Sequence, residues 1–468
     1  MIWDFQKYGN YTAILDEYGK SLTYEALDKE GRLVAEAAGR RCLAFLLCRN
    51  EIGALVGYTG MLNGGMVPLL LNSHVDREAL EGLLAVYRPA YLWVPEGIPF
   101  PDLTPVYDAF GYRLLRTCYE TEYPLHPELA LLLTTSGSTG SPKFVRQSRA
   151  NIQANAKSIA AYLELDETER PITTLPMNYT YGLSIINSHL LVGATLLVTD
   201  KSLTRREFWS FFQEAGATSF GGVPYTYEML DRMRFQRMDL PSLRTMTQAG
   251  GKLSPALHEK LAGEALAAGR RFVVMYGQCE ATARMGYLPP EKAVEKCGSM
   301  GIAIPGGKFH LVDEEDREIT IPGVSGELIY EGPNVALGYA ERGEDLRKGD
   351  EWSGVLRTGD MARFDEDGYY YITGRKKRFL KIYGNRVNLD EVDALVKGRF
   401  PALECASAGA DDRLYVFITD QERAEDVKEF LIHKTQLNSS AFRVVCLDEI
   451  PKSDSGKTLY RKLEEYYA

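Results

Sequence analysis

Short apolar runs typical of buried strands alternate with helical patterns through the first two-fifths of the chain. Such runs occupy residues 43–48 and 131–135, and further runs follow at 195–199 and 272–275. Apolar residues also recur at helical spacing on two stripes, which comprise Leu27, Gly31, Val34, Ala35 and Ala38 in the first and Ile152, Ala156, Ile159, Ala160 and Leu163 in the second. Because strands that alternate with helices favour sheets covered by helices on both faces, this order predicts an α/β fold of doubly wound layers.

The chain is long enough for more than one core. With 468 residues, two or three structural units are expected. Glycine, proline and acidic turn residues become dense after residue 300, with strand-like runs at 309–312 and 327–330, and a small α/β pattern closes the chain. We therefore predict a large N-terminal domain over 1–376, including a β-rich subdomain over 300–376, and a small mobile α+β domain over 377–468.

Charge and composition exclude several classes of function. The formal net charge is −10, which disfavours binding to nucleic acid or to an anionic membrane surface. The sequence contains no signal-peptide pattern at residues 1–7 and no apolar stretch long enough to cross a membrane. Its seven cysteines are scattered without a C-x-x-C pair, which predicts a reduced, cytoplasmic protein with neither disulfides nor structural zinc.

The segment 134–143 has the composition of a phosphate-binding loop. It reads T-T-S-G-S-T-G-S-P-K and follows a strand-like run. Glycines let the backbone approach an anion, hydroxyls add donors, and Lys143 supplies a compact positive charge for a pyrophosphate. A flexible polar linker is the alternative. The positions of the glycines and the lysine in this segment do not match a Walker loop. Residues 451–458, which also contain a Gly-Lys pair, do not match one either. The candidate phosphate contacts are Thr135, Ser136, Gly137, Ser138, Thr139 and Gly140.

The stretch T-S-G-S-T-G-S-P-K at 135–143 resembles the signature loop of the adenylate-forming, or AMP-binding, superfamily. This superfamily includes acyl-CoA synthetases, adenylation domains of peptide synthetases and luciferases, and further motifs of the family follow in order along nearly the whole chain. The resemblance implies ATP and Mg²⁺ as cofactors. It also implies activation of a small carboxylic acid as its acyl-adenylate, followed by transfer of the acyl group to a thiol.

Two further segments carry the expected nucleotide contacts. Ala249, Gly250 and Gly251 align with the strand on which the family lays adenine. The segment Tyr276-Gly277-Gln278-Cys279-Glu280 resembles the family motif Y-G-x-T-E, which implies that Tyr276 stacks on adenine and that Glu280 holds Mg²⁺ through oxygen. Cys279 departs from the usual threonine, and its thiol is a weaker donor than a hydroxyl.

The remaining motifs assign roles to residues in the C-terminal part. The motif T-G-D places Asp360 on the ribose hydroxyls, with Arg375 beside it. The resemblance implies that Lys377 is the hinge of the C-terminal domain and that Gly384 lines the thiol tunnel. Lys457, in the last loop motif, would stabilise charge as the carboxylate attacks the α-phosphate.

The acyl pocket is expected beside residues 175–182, with Tyr179, Tyr181 and Gly182 on one wall. Amino-acid-activating members carry an aspartate in this segment, and this chain has no carboxylate there. Since a buried ammonium without a counter-charge is unfavourable, the substrate is expected to lack a free α-amino group. Ordinary core aromatics are the alternative interpretation. The chain also has Phe144 and Arg149 where family members often have glycine and histidine, and its Gly338-Tyr339 motif is assigned no chemistry.

Three functions remain open. The first is an acyl-CoA synthetase-like ligase, for which Arg378, Lys381 and Arg386 are candidate contacts to the 3′-phosphate of CoA. The second is a stand-alone adenylation enzyme that loads an acid onto the phosphopantetheine of a carrier protein. The third is an idle nucleotide-binding protein, against which Lys457, Glu280 and Asp360 argue.

Overall fold

The structure is a computed structural model that describes residues 2–119, 123–134, 143–382, 385–410, 413–435, 437–452 and 458–467. The loop residues 135–142, the predicted tunnel residue Gly384 and the predicted catalytic Lys457 lie outside this part of the chain. Among the described residues, no helix combines the length and the apolar character needed to cross a membrane.

The described chain forms strands and α-helices with the following bounds. The strands are β1 (Thr12–Asp16), β2 (Ser21–Thr23), β3 (Leu43–Cys48), β4 (Val67–Asn72), β5 (Tyr91–Pro95), β6 (Thr104–Ala109), β7 (Tyr112–Arg116), β8 (Leu129–Thr134), β9 (Phe144–Ser148), β10 (Leu196–Val198), β11 (Ser219–Gly222), β12 (Thr245–Gln248), β13 (Arg271–Tyr276), β14 (Gly286–Tyr287), β15 (Ile302–Ala303), β16 (Lys308–Val312), β17 (Glu318–Ile319), β18 (Gly326–Glu331), β19 (Gly338–Ala340), β20 (Val355–Phe364), β21 (Tyr370–Arg375), β22 (Phe379–Ile382), β23 (Asn385–Asn388), β24 (Cys405–Ala410), β25 (Arg413–Ile418) and β26 (Phe442–Cys446). The helices are α1 (Tyr24–Ala38), α2 (Ile52–Gly64), α3 (Arg77–Tyr87), α4 (Arg149–Tyr162), α5 (Thr180–Val192), α6 (Arg206–Glu214), α7 (Pro224–Arg232), α8 (Pro255–Ala267), α9 (Leu389–Arg399), α10 (Ala424–Thr435) and α11 (Tyr460–Leu463).

The described chain divides into two compact units. The first comprises the residues up to 308 together with 331–356, and the second comprises 309–330 together with the residues from 357 onward. The β-rich segment 300–376 is divided between these two units. The predicted domain bounds, including the boundary at Lys377, stay predictions.

The first unit is built around an eight-stranded sheet in the order β19-β9-β8-β4-β3-β5-β7-β6. At its centre β3 pairs in parallel with both β4 and β5. Alternate residues of β3 enter different apolar clusters, with Ala44 and Leu46 in one and Phe45 and Leu47 in the other. A strand that buries both faces reads as a continuous apolar run, which is why the sequence predicted it. The α/β fold of layered sheets is confirmed.

A second sheet of the first unit positions the candidate site. Its order is β11-β12-β13-β14-β15, and β11, β12 and β13 are parallel. The first unit also contains the small sheet β10-β1-β2. In the second unit, the sheets have the orders β17-β16-β18-β20-β21, β22-β23 and β24-β25-β26.

One strand of the first unit was not identified from the sequence. The strand β9 lies between the phosphate loop and α4, which begins only at Arg149. All five residues of β9 are buried, although Arg146, Gln147 and Ser148 are polar. Arg146 donates to the Tyr339 carbonyl, Gln147 Nε2 donates to the carbonyls of Cys279 and Thr282, and Ser148 caps α4 through a reciprocal capping box with Asn151. An apolar pattern could not reveal a buried strand of this composition.

Candidate active site

The described ends of the candidate phosphate loop lie side by side. Thr134, the last residue of β8, is the register partner of Phe144, the first residue of the antiparallel strand β9. Lys143 directly precedes β9. On its other edge β9 pairs with β19, so that Tyr339 lies opposite Val145. This pairing brings two sequence motifs, separated by nearly two hundred residues, to one edge of the sheet.

A cluster of four side chains, Lys143, Tyr339, Glu280 and Glu341, forms at this edge. Lys143 Nζ is 2.9 Å from Glu341 Oε1 and lies 5.0 Å from the centre of the Tyr339 ring. The Tyr339 hydroxyl donates a hydrogen bond of 2.8 Å to Glu280 Oε1. Burial, followed by the nearby Glu280 charge, raises the pKa of Tyr339, so the hydroxyl remains a donor at neutral pH. The structure thus joins the predicted phosphate lysine to the predicted metal ligand.

Tyr339 and Glu341 are the members of this cluster that sequence reasoning missed. The motif Gly338-Tyr339 was recognised but was interpreted as structural. The motif was the only signal in the sequence that could have pointed to Tyr339. Its contact to Glu280 depends on the pairing of β19 with β9 and could not be derived from spacing along the chain.

The backbone around Glu280 is held in a tight turn. A Cβ atom on Gly277 would lie 1.8 Å from the carbonyl oxygen of Ala283, so only glycine fits there. Residues 279–281 form a single 3₁₀ turn, and Thr282 follows with a φ of +66°, which a β-branched residue rarely adopts. The Glu280 carbonyl accepts a hydrogen bond from the amide of Ala336. The turn therefore fixes the backbone at Glu280, and the Tyr339 hydroxyl holds the carboxylate.

The predicted adenine segment contacts the predicted acyl wall. Gly250 has a φ of +83°, and a Cβ atom there would lie 2.6 Å from the Tyr179 hydroxyl. Gln248 Nε2 donates to the carbonyls of Ala249 (3.2 Å) and Gly251 (2.8 Å), which fixes this turn at the carboxyl end of β12. Close approach to Tyr179 and a left-handed backbone together account for glycine at position 250.

The predicted acyl-wall residues lie at the start of α5. Tyr179 is the N-cap residue, and Tyr181 is 4% exposed, with its hydroxyl 2.7 Å from Thr247 Oγ1 in β12. A Cβ atom on Gly182 would lie 2.5 Å from the carbonyl oxygen of Pro176. Tyr179 and Tyr181 belong to one apolar cluster with Ala249, so the wall and the adenine segment share a core.

The predicted ribose residues form an ion pair within the second unit. Asp360 in β20 and Arg375 in β21 are register partners, and Arg375 Nε lies 3.2 Å from Asp360 Oδ1. The side chain of Asp360 is 5% exposed and that of Arg375 is 63% exposed. Asp360 therefore has a fixed position, whereas Arg375 extends toward solvent from the same ladder.

The hinge segment is a short 3₁₀ turn at Lys376–Arg378, between β21 and β22. Arg378, the last residue of this turn, was a candidate contact to the 3′-phosphate of CoA, but its side chain has other partners. Arg378 pairs with Asp390 and Asp393, donates to the Ser407 carbonyl, and lies 4.0 Å from the centre of the Tyr460 ring. These contacts give Arg378 a structural role in the C-terminal residues and argue against it as a CoA contact.

We expect the substitution Tyr339→Phe to lower adenylate formation about tenfold at limiting Mg²⁺, because it removes one hydrogen bond to a charged carboxylate. The aromatic ring that faces Lys143 is retained in this variant. The matched control is Tyr107→Phe, which removes a 3.1 Å bond between Tyr107 and Glu30 outside the cluster. Initial rates of pyrophosphate exchange across an Mg²⁺ titration measure the effect. Equal rates for the two variants would contradict a positioning role for Tyr339.

Comparisons with known proteins agree with the fold and with the motifs. The model of the AMP-binding enzyme family matches residues 3–340. Oxalate–CoA ligase of Arabidopsis thaliana is 30% identical, over 74% of this chain and 69% of its own length. The matched regions span 66–69% of the first curated relatives, about two thirds of their length.

Two solved structures of o-succinylbenzoate CoA synthetase from Bacillus subtilis share the fold. The complex with the acyl-adenylate intermediate has a TM-score of 0.79 at 21% identity, over 97% of this chain and 95% of that chain. The complex with ATP and a magnesium ion has a TM-score of 0.77 at 21% identity, over 97% and 96%.

The predicted family is therefore confirmed, and so is the predicted enzyme class, AMP-forming acid–thiol ligases, at the level of the family. The roles of individual residues stay predictions. The chain belongs to the AMP-binding enzyme family.

Proposed function

We propose that this chain joins a carboxylic acid to the thiol of CoA in two steps that consume ATP. In the first step a carboxylate oxygen attacks the α-phosphorus of ATP, the bond to the β-phosphate oxygen breaks, and pyrophosphate leaves. In the second step the thiol sulfur attacks the acyl carbonyl, AMP leaves, and the thiol proton passes to solvent. The observation that carries the proposal is the cluster of Lys143, Tyr339 and Glu280 beside the described ends of the 135–142 loop.

The donor set of the cluster fits magnesium-bound nucleotide. Mg²⁺ is usually held by one or two carboxylates together with substrate phosphates, and its ligands are oxygens. Glu280 supplies such a carboxylate, and the described residues contain no group of three or more metal-binding side chains that would suggest a closed protein site. When bound, Mg²⁺ supplies charge neutralisation of the phosphates. Lys143 would release Glu341 and pair with a phosphate oxygen instead.

The other roles follow the family motifs. The 135–140 loop would bind phosphate, Ala249–Gly251 and Tyr276–Cys279 would hold adenine, and Asp360 with Arg375 would hold ribose. Lys457 would stabilise charge in the first step. Rotation about Lys377 would then bring Gly384 to the thiol path for the second step. The similarity to CoA ligases favours CoA over a carrier protein as acceptor. It leaves the acid open, because oxalate and o-succinylbenzoate differ widely in size.

Pyrophosphate–ATP exchange with a panel of carboxylic acids tests the first step. At least one acid should support exchange, and Lys457→Ala, purified in parallel, should lose it, which controls for contaminating synthetases. Acyl-CoA formation, followed by mass spectrometry, tests the second step. Exchange with no acid would contradict the proposal. Exchange with acylation of a phosphopantetheinyl carrier, but not of CoA, would instead identify a stand-alone adenylation enzyme.

A further inference from the structure

Thr282, two residues after Glu280, has a strained backbone. Its φ is +66° and its ψ is −47°, and the amide of Ala283 donates a 2.7 Å hydrogen bond to the carbonyl of Ala281. Together these values describe a γ-turn with a left-handed central residue, which is rare and is unfavourable for a β-branched side chain. Strained backbone persists only where the surrounding structure holds it, and it is concentrated at functional sites.

Buried side chains from two distant segments hold this turn. Thr282 is 6% exposed, and its Oγ1 donates to the carbonyl of Asn334 at 2.7 Å. Asn334 Nδ2 donates in return to the carbonyl of Ala281 at 2.8 Å. From the strand β9, Gln147 Nε2 donates to the carbonyls of Cys279 at 3.3 Å and Thr282 at 3.4 Å. The backbone on both sides of Glu280 is therefore fixed by side chains of other elements.

Thr180 holds the same turn from the predicted acyl wall. Its hydroxyl donates a hydrogen bond to the carbonyl of Thr282. Thr180 is the first residue of α5, and in the chain it lies between the two tyrosines of the wall. Because adjacent helical residues point in different directions, Thr180 reaches the Glu280 turn whereas Tyr181 bonds to Thr247 in β12. One residue thus joins the helix of the acyl wall to the turn that carries the predicted metal ligand.

The hydroxyl is the part of Thr180 that the turn requires. A backbone carbonyl can only accept, and a buried carbonyl that loses its donor is unfavourable. Gln147 also donates to the Thr282 carbonyl, but at 3.4 Å its bond is the weaker kind. Without the Thr180 hydroxyl, the strained turn has less to hold it, and we expect the Glu280 carboxylate to move with the backbone.

Given the proposed function, on which this step rests, we propose that Thr180 is a positioning residue for the metal site. Its hydroxyl acts through the Thr282 carbonyl and keeps the Glu280 carboxylate where magnesium-bound ATP requires it. Tyr339 holds the carboxylate end of the same side chain, so that two hydroxyl groups fix Glu280 from opposite ends. Since Thr180 also begins the helix of the acyl wall, the acid site and the metal site share one anchored element.

ATP binding with and without metal tests this proposal. Isothermal titration calorimetry of the full chain gives the Kd of ATP in excess Mg²⁺ and again in excess EDTA. Thr180→Val keeps the shape of the side chain but removes the donor, so it should raise the Kd in Mg²⁺ about tenfold and leave the Kd in EDTA unchanged. Thr180→Ser keeps the donor and should bind ATP as the wild-type chain does in both conditions.

The matched control is Thr195→Val. Thr195 is a buried threonine of the same unit, and its Oγ1 donates to the carbonyl of Thr12 in β1 at 2.8 Å. This variant loses a bond of the same kind and should leave both Kd values unchanged. If the Kd of Thr180→Val rises equally in Mg²⁺ and in EDTA, or changes no more than in the control, Thr180 does not position the metal site.

A double-mutant cycle with Glu280→Gln shows whether Thr180 acts through Glu280. Pyrophosphate exchange, measured with the acid that gives the highest rate, should fall about tenfold in Thr180→Val alone. In the Glu280→Gln background the same substitution should change the rate by less than about twofold, because the group that is positioned has already lost its charge. A full additional loss in that background would mean that Thr180 acts on a different group.

The outcomes separate this inference from the proposed function. Exchange with no acid would refute acid activation, whereas the ATP-binding comparison needs no acid and still decides the role of Thr180. Wild-type exchange together with equal ATP affinities in Thr180→Val and Thr195→Val would overturn the role of Thr180 and leave acid activation intact. If Thr180→Val does not fold, Thr180→Ala takes its place, since alanine suits a first helical turn, and its comparison with Thr180→Ser decides.

Discussion

Replacing Glu280 with glutamine is expected to lower the rate of adenylate formation by about 1,000-fold, the upper range for loss of one charge-stabilising group in an active site. Glutamine keeps the shape of the side chain, and its amide oxygen can still accept from the Tyr339 hydroxyl, so the turn should be preserved. What is lost is the negative charge that Mg²⁺ prefers. Pyrophosphate exchange, measured over a range of Mg²⁺ concentrations, should show a lower maximum and a higher Mg²⁺ requirement.

The matched control for this experiment is Glu295→Gln. Glu295 is an exposed glutamate of the same unit, paired with Lys292 at 2.6 Å. This variant should behave as the wild-type chain, because surface pairs contribute little. If Glu280→Gln keeps a rate within a few-fold of the wild-type chain at every Mg²⁺ concentration, Glu280 is not the metal ligand, and the role assigned from the motif is wrong.

The sequence predicted best those parts of the molecule whose signal is local. β3 was visible as an apolar run because both of its faces are buried, and α1 was visible because Leu27, Val34 and Ala38 return to one face. The family resemblance assigned Asp360 and Arg375 to the same ribose, and an antiparallel ladder brings the two side chains together. In each case the relevant contacts lie within one element or between neighbours in the chain.

The features that the sequence missed depend on contacts between distant segments. Tyr339 reaches Glu280 only because β19 pairs with β9. Arg284 was not identified from the sequence, since a single arginine after a known motif cannot be distinguished from a surface residue. Its burial against Tyr181 and Tyr162 results from the packing of α4 and α5 onto the sheet, which no local pattern encodes.

The strand β9 was also missed from the sequence, and a substitution in it has the largest expected effect on stability. Arg146, at its centre, has a fully buried side chain that joins β9 to distant segments. It donates to the carbonyls of Leu337 and Tyr339 in or beside β19, and to those of Lys348 and Gly349. It also pairs with Glu351. The substitution Arg146→Met would leave these acceptors without their donor.

We expect Arg146→Met to lower the free energy of unfolding of the first unit by about 3–5 kcal/mol, because four carbonyls lose hydrogen bonds to one charged donor. Urea unfolding of the full chain, followed by tryptophan fluorescence, measures the change. The matched control is Arg170→Met, because Arg170 donates to a single carbonyl, that of Ala215, and its loss should change stability by about 1 kcal/mol. Since β9 begins directly after Lys143, the unfolding midpoint of Arg146→Met should also respond more weakly to added ATP. Equal stabilities for the two variants would mean that the Arg146 bonds do not hold this edge of the sheet together.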